Sequence, residues 1–189
     1  MPLTDHLAIY GGSFDPPHIG HQITCMWLIE ALNAQFVHVV PTFEHCFGKK
    51  LIDFEHRMEM CRRMSEPFRG LVCASDAERD LPKPNITYNL LQYYKGYSDN
   101  IAVIIGSDLI PDLDKWTKWK EVSEEAIVIA IGRSGFKNVS TPLDVYQYPV
   151  ELSAVSSSDV RKRIADGQDI TGLVSKSVKE YIEEHGLYK

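Results

Sequence analysis

Residues 11–21 read GGSFDPPHIGH, and the way this stretch is punctuated decides the fold. A short β-branched and aromatic run, His6 to Tyr10, stands before it. Behind it, Ile23, Met26, Trp27 and Leu28 recur at helical spacing and predict a helix over 19–33. The unit is therefore strand, glycine turn, helix. Gly11 and Gly12 let backbone approach a ligand closely, and Asp15-Pro16-Pro17 makes a rigid turn. A helix opening near His18 turns its first N–H groups and positive dipole end toward that turn, which suits an anion, most often phosphate. His18 and His21 share one face of the first turn. Both can donate to phosphate oxygens, and both can become cationic as charge builds. The pair could also be half a metal site, but no third ligand stands near in sequence.

Outward from this stretch the chain alternates. Phe36 to Val40, Leu71 to Ala74, Ile101 to Ile105 and Ala126 to Ile131 are further apolar runs, nearly continuous rather than alternating. That is the pattern of strands buried on both faces of a parallel sheet. Between them lie helical stretches. One of these, Phe54 to Met64, follows an Asp53 placed to cap it, with Glu55 and Glu59 facing Arg62 and Arg63. Repetition of the unit predicts a doubly wound α/β domain with a mostly parallel sheet. Ligands in such sheets bind beyond the carboxyl ends of the strands, where strand order reverses. GGSFDPPHIGH falls at that edge.

The bulk numbers set limits. With 189 residues, 44% hydrophobic and 10% aromatic, the chain suits one globular domain over 1–189. A net charge of −6 argues against a general nucleic-acid binder and for a small-molecule site. Cys25, Cys46, Cys61 and Cys73 form no CxxC pair and read as free thiols. The opening apolar run is too short for a signal peptide or a membrane span, which points to the cytoplasm. No GxxxxGK[ST] loop occurs, and no GxGxxG follows the first strand, so the usual ATPase loop and a dinucleotide redox cofactor are both disfavoured.

A second anion-binding element lies far along the chain. Ala154 to Arg161 reads AVSSSDVR, a serine run that caps a helix and ends in a cation. The N–H groups and hydroxyls of Ser156, Ser157 and Ser158, with Arg161, predict a second phosphate cradle facing the first.

GGSFDPPHIGH resembles the N-terminal signature of the adenylyltransferases that make pyridine dinucleotides, members of the HxGH nucleotidyltransferase superfamily. AVSSSDVR looks like the ISSTxIR signature of nicotinate and nicotinamide mononucleotide adenylyltransferases, with Val155 and Ser158 in place of Ile and Thr. Gly106-Ser107-Asp108 looks like the family's GxD, whose carboxylate would bind the adenosine ribose. Trp116-Thr117-Lys118-Trp119 resembles its tryptophan-bearing helix, where Trp116 or Trp119 would stack on a pyridine ring. Residues 85–91, NITYNLL, align with the family's SYTxDTL, with Asn85 and Asn89 at the Ser and Asp positions. His45 to Met60 resembles the segment carrying a phosphate-binding lysine, here Lys49 with Lys50 as the alternative. Arg133 stands at an Arg-Pro-Gly turn that reads Arg-Ser-Gly here. VSKSVKEYIEEHGLY, toward the chain's end, looks like the family's closing helix.

What the resemblance implies is a Rossmann-like nucleotidyltransferase fold, with 154–189 a helical part carrying the second phosphate motif. It implies adenylyl transfer from ATP to nicotinate or nicotinamide mononucleotide, in NAD biosynthesis. His18, His21 and Arg161 would be catalytic. Gly11, Gly12, Ser13, Phe14, Gly20, Lys49, Gly106, Asp108, Ser156, Ser157 and Ser158 would bind ATP. Thr87, Trp116, Trp119 and Arg133 would bind the mononucleotide. Mg²⁺ would enter with ATP, held by phosphate and water. Partners would be ATP and a pyridine mononucleotide, with no nucleic acid and no membrane, and a homo-oligomer is left open. Rival readings are a phosphopantetheine adenylyltransferase-like enzyme and a non-catalytic nucleotide-binding regulator. The letters HIGH also occur in class I aminoacyl-tRNA synthetases. Their KMSKS loop is not matched by Ser175-Lys176-Ser177, because Leu173 stands where its first lysine belongs.

Overall fold

A computed structural model describes residues 2–44, 50–132, 145–148 and 153–189. Six parallel strands stand in the order β3-β2-β1-β4-β5-β6. They are β1 (Leu7–Gly12), β2 (Phe36–Pro41), β3 (Val72–Ala74), β4 (Ile101–Gly106), β5 (Ile127–Ile131) and β6 (Val145–Tyr148). The helices are α1 (Ile19–Glu30), α2 (Phe54–Ser65), α3 (Thr87–Lys95), α4 (Trp119–Glu125), α5 (Ser157–Ala165) and α6 (Lys176–Glu184). This is the doubly wound α/β arrangement expected from the apolar runs, and its strand order reverses between β1 and β4.

Residue by residue, the strands feed two cores in alternation, as a two-residue side-chain period requires. From β1, Leu7 and Ile9 enter one core and Ala8 the other. From β4, Ile101, Val103 and Ile105 join Leu7, while Ala102 and Ile104 join Ala8. The Ala8 side also takes Cys25 and Leu28 of α1, Cys61 of α2, Val160 of α5 and Val178 of α6. The Leu7 side takes Leu91 and Tyr94 of α3 and Val122 of α4. Both ends of the chain thus contribute to one core.

Four local expectations need correction. α1 ends at Glu30 rather than Asn33, because Asn33 adopts a left-handed φ of 55° that no right-handed helix can contain. Asp53 precedes α2, but its side chain accepts no capping hydrogen bond. Glu59 pairs with Arg62 and Arg63 as foreseen, yet Glu55 reaches across to Arg79 at 2.6 Å. β6 went unforeseen because VYQY is a half-exposed edge strand without a continuous apolar run.

Gly11 and Gly12 are the last residues of β1, paired with Val40 and Pro41. The loop that follows, 13–18, leaves the sheet at the switch point beside Gly106 of β4. We expect Leu28→Ala to lower the free energy of urea unfolding by about 2–5 kcal/mol. Met26→Ala, on the 51% exposed side of the same helix, should change it by less than about 0.5 kcal/mol. Equal effects of the two would contradict this packing.

Candidate active site

His18 and His21 open α1 by capping it reciprocally. Gly20 N–H donates to His18 Nδ1 at 3.1 Å, and His18 N–H donates to His21 Nδ1 at 3.0 Å. A backbone amide can only donate, so both Nδ1 atoms are unprotonated and each neutral ring carries its proton on Nε2. The two rings lie face to face, centroids 3.8 Å apart at 33°. Phe14 backs the His21 ring at 4.7 Å. Fusion of the cap with the imidazole pair explains why these residues stand three apart: that is the capping-box spacing.

This geometry corrects one expectation. The first-turn amides do not face outward to an anion: Ile19 N–H donates to Leu173 O at 2.8 Å, Gly20 N–H to an imidazole, and His21 N–H to His18 O at 2.9 Å. Each ring is left with Nε2–H as its donor.

The glycines divide their work. A β-carbon on Gly20 would stand 2.9 Å from Ser153 Cβ and 3.0 Å from the His18 ring, so no other residue fits. A β-carbon on Gly12 would meet the Phe14 ring at 3.2 Å, so Gly12 makes room for that ring. Phe14 holds a left-handed φ of 46° and turns into the core, so only its backbone can face a nucleotide.

Opposite this loop stands α5. Its three serines have separate duties: Ser156 Oγ caps the Asp159 amide at 3.1 Å, Ser157 Oγ donates to Pro16 O at 2.9 Å, and Ser158 Oγ accepts from Arg161 at 3.2 Å. Arg161 Nη1 also donates to Asp15 O at 2.5 Å. The three serine hydroxyls thus bond protein atoms, capping α5 and tying its start to the loop. Asp15, Arg161, Lys50, Leu51, Ile52, Asp53 and His56 line a cavity of about 480 Å³ between this loop and the start of α2.

The remaining expected residues are distributed around the carboxyl edge. Gly106 ends β4 and Asp108 lies in the first turn of the 3₁₀ segment Ser107–Lys115 that follows. Thr87 is the first residue of α3. Trp116 is half-buried, while Trp119 belongs to the core and meets Trp116 edge-on at 6.0 Å. Trp119 is therefore withdrawn from stacking on a ligand. Asn89 donates to Pro82 O at 3.0 Å and Asn85 to Glu78 O at 2.7 Å, so both amides brace the loop before α3. Lys49 and Arg133 lie outside the described residues.

Several residues of the site were not singled out for it from sequence. Arg57 sits fully buried on the apolar stripe of α2 with Phe54, Met58 and Cys61. It donates to Ile52 O at 3.1 Å, Ser13 O at 2.9 Å and Thr42 O at 2.8 Å. Burial holds its pKa below the usual arginine value, and the nearby Asp15 charge opposes that shift. Glu78 accepts the Phe43 amide at 2.9 Å, and its burial raises its pKa. A cation on the apolar face of an amphipathic helix was the available signal for Arg57. His56, bonded through Nδ1 to Tyr181 Oη at 2.9 Å, gave none. Among the described residues no group of three or more His, Cys, Asp or Glu could hold a metal ion, and no helix is long and apolar enough to cross a membrane.

A six-stranded parallel sheet in which two helix starts, those of α1 and α5, meet one loop beside the switch point has the architecture of a Rossmann-like nucleotidyltransferase fold. The chain belongs to the cytidylyltransferase-like family, whose model matches residues 9–163. A protein of Anaeromyxobacter sp. (strain K) named nicotinate-nucleotide adenylyltransferase is 38% identical over 187 residues, covering 97% of this chain and 96% of its own. A protein of the same name from Myxococcus xanthus (strain DK1622) is 30% identical, covering 96% and 94%. These relatives put the chain in the nicotinate-nucleotide adenylyltransferase branch of that family. The solved structure of Plasmodium falciparum nicotinic acid mononucleotide adenylyltransferase complexed with NaAD shares the fold, with a TM-score of 0.79, 24% identity and 97% of each chain covered.

The cap fixes a measurable tautomer. Long-range ¹H–¹⁵N spectra near pH 8 should show His18 and His21 both protonated at Nε2. A ring protonated at Nδ1 would contradict the reciprocal cap.

Proposed function

We propose that the chain transfers the adenylyl group of ATP to nicotinate mononucleotide, forming the dinucleotide and releasing pyrophosphate. The observation that carries this reading is the pair of Nε2–H imidazoles set against α5 and Arg161 across one loop. Both walls offer donors, and neither offers a nucleophile. The reaction needs none. The 5′-phosphate of the mononucleotide is already an anion near neutral pH and attacks the α-phosphorus in line, while the α–β bridging oxygen leaves with pyrophosphate. Positioning and charge stabilisation carry such a transfer.

His18 and His21 donate to the α-phosphate as its charge grows, with His21, backed by Phe14, the stronger candidate. Arg161, with Lys49 or Lys50, holds the β- and γ-phosphates along the cavity wall. Gly11, Gly12, Ser13, the Phe14 backbone, Gly20 and the α5 amides beside Ser156, Ser157 and Ser158 border the triphosphate, and Gly106 and Asp108 receive the ribose. Mg²⁺ comes in as part of the ATP substrate. The mononucleotide lies on the β4 side. There Trp116 presents a half-buried ring, and Thr87 opens α3, whose positive end favours the nicotinate carboxylate over an uncharged amide. Arg133, after β5, is kept as a further contact. Free Cys25, Cys61 and Cys73 agree with a reducing cytoplasm.

Pyrophosphate release with Mg²⁺-ATP and each of nicotinate mononucleotide, nicotinamide mononucleotide and phosphopantetheine tests the substrate. Release with the nicotinate compound should exceed the others; release with phosphopantetheine alone, or with none, overturns the reading and in the last case favours a regulator. His21→Ala should lower kcat by about a hundredfold or more while mononucleotide affinity stays within a few-fold. Near-normal turnover in that variant would remove His21 from the mechanism.

A further inference from the structure

Loop 13–18 is held by donors from elements far apart in sequence, and one of them differs from the rest. Arg57, Ser157 and Arg161 all bond the loop's backbone carbonyls. Tyr188, beyond α6, donates its phenol to a side chain instead, to Asp15 Oδ1 at 2.8 Å. The Asp15 carboxylate is 2% exposed, so the phenol meets a charge that water does not reach. Its other oxygen, Oδ2, lies 3.9 Å from Arg161 Nη1. That separation is well outside the 2.7–2.9 Å or so of a charge-assisted hydrogen bond. Arg161 faces a carboxylate it has not closed upon.

Tyr188 makes this contact from a left-handed φ of 64°, a conformation unfavourable for a non-glycine residue. Burial and the Asp15 charge both push the phenol's pKa well above its ordinary value, so it stays a donor across the working range. Without that donor, a buried carboxylate would be left short of a partner. The nearest repair is for Arg161 to close the gap and neutralise Asp15. The cation would then turn away from the phosphate site.

We propose that Tyr188 is a positioning residue, which satisfies Asp15 so that Arg161 remains directed to the substrate's phosphates. This rests on the adenylyl-transfer reading for what Arg161 meets, but the contact set is a property of the chain alone. The neighbouring charged groups are Arg57 on α2 and Arg161 on α5; both bond carbonyls of the loop and neither bonds the carboxylate.

Calorimetric binding of inorganic pyrophosphate to the full chain is the test, with initial rates read in parallel. Tyr188→Phe should weaken pyrophosphate binding and raise KM for ATP on the order of tenfold, the worth of one charge-assisted contact. In an Arg161→Ala background the same change should have no further effect. Asp15→Asn added to Tyr188→Phe should restore binding, because a neutral amide no longer draws the cation; a merely structural loss would not be rescued. The proposal is overturned if Tyr188→Phe leaves pyrophosphate binding unchanged, if its effect multiplies with that of Arg161→Ala, if Asp15→Asn gives no rescue, or if the unsubstituted chain does not bind pyrophosphate. Should binding respond as expected while no mononucleotide yields product, the reaction reading fails and this assignment stands.

Discussion

A buried loop with no secondary structure must find donors for every carbonyl it carries, and loop 13–18 is such a loop. It leaves β1 at the switch point, enters α1, and lies under the residues that face the ligand. Ser13, Asp15 and Pro16 each receive a donor from Arg57, Arg161 or Ser157. The donors come from α2 and α5, on opposite sides of the loop. The loop's backbone is therefore satisfied from outside, by side chains of elements distant in sequence.

The same constraint acts at the start of α1. Each imidazole spends its Nδ1 on a backbone amide, and that bond leaves the ring proton on Nε2. A single feature settles tautomer, ring orientation and helix start. Bonds of this kind fix a side chain's orientation before any ligand arrives. Gly20 follows from the same arrangement, since any β-carbon there would strike Ser153 or the His18 ring.

Legibility varied by element in ways that physics explains. The five strands with continuous apolar runs were visible because both faces of the sheet are covered; β6, at the edge, was not. The start of α1 at His18 was visible because the turn residues before it and the helical spacing after it are local signals. Trp116 and Trp119 looked alike in sequence, and only packing separated a half-buried ring from a core one. The serines of α5 read as phosphate ligands until Pro16 and Arg161 were seen to engage two of them.

Composition, periodicity and turn residues were enough to determine a doubly wound α/β chain whose first helix opens at the turn behind its first strand. Those signals are local, encoded within a few turns or one strand. Which groups meet across the loop was decided only by tertiary structure. Arg57, Ser157, Arg161 and Tyr188 lie 44 to 173 residues from the loop positions they hold. No local pattern encodes a bond of that span: it exists because buried polar groups need partners, and folding decides which are within reach.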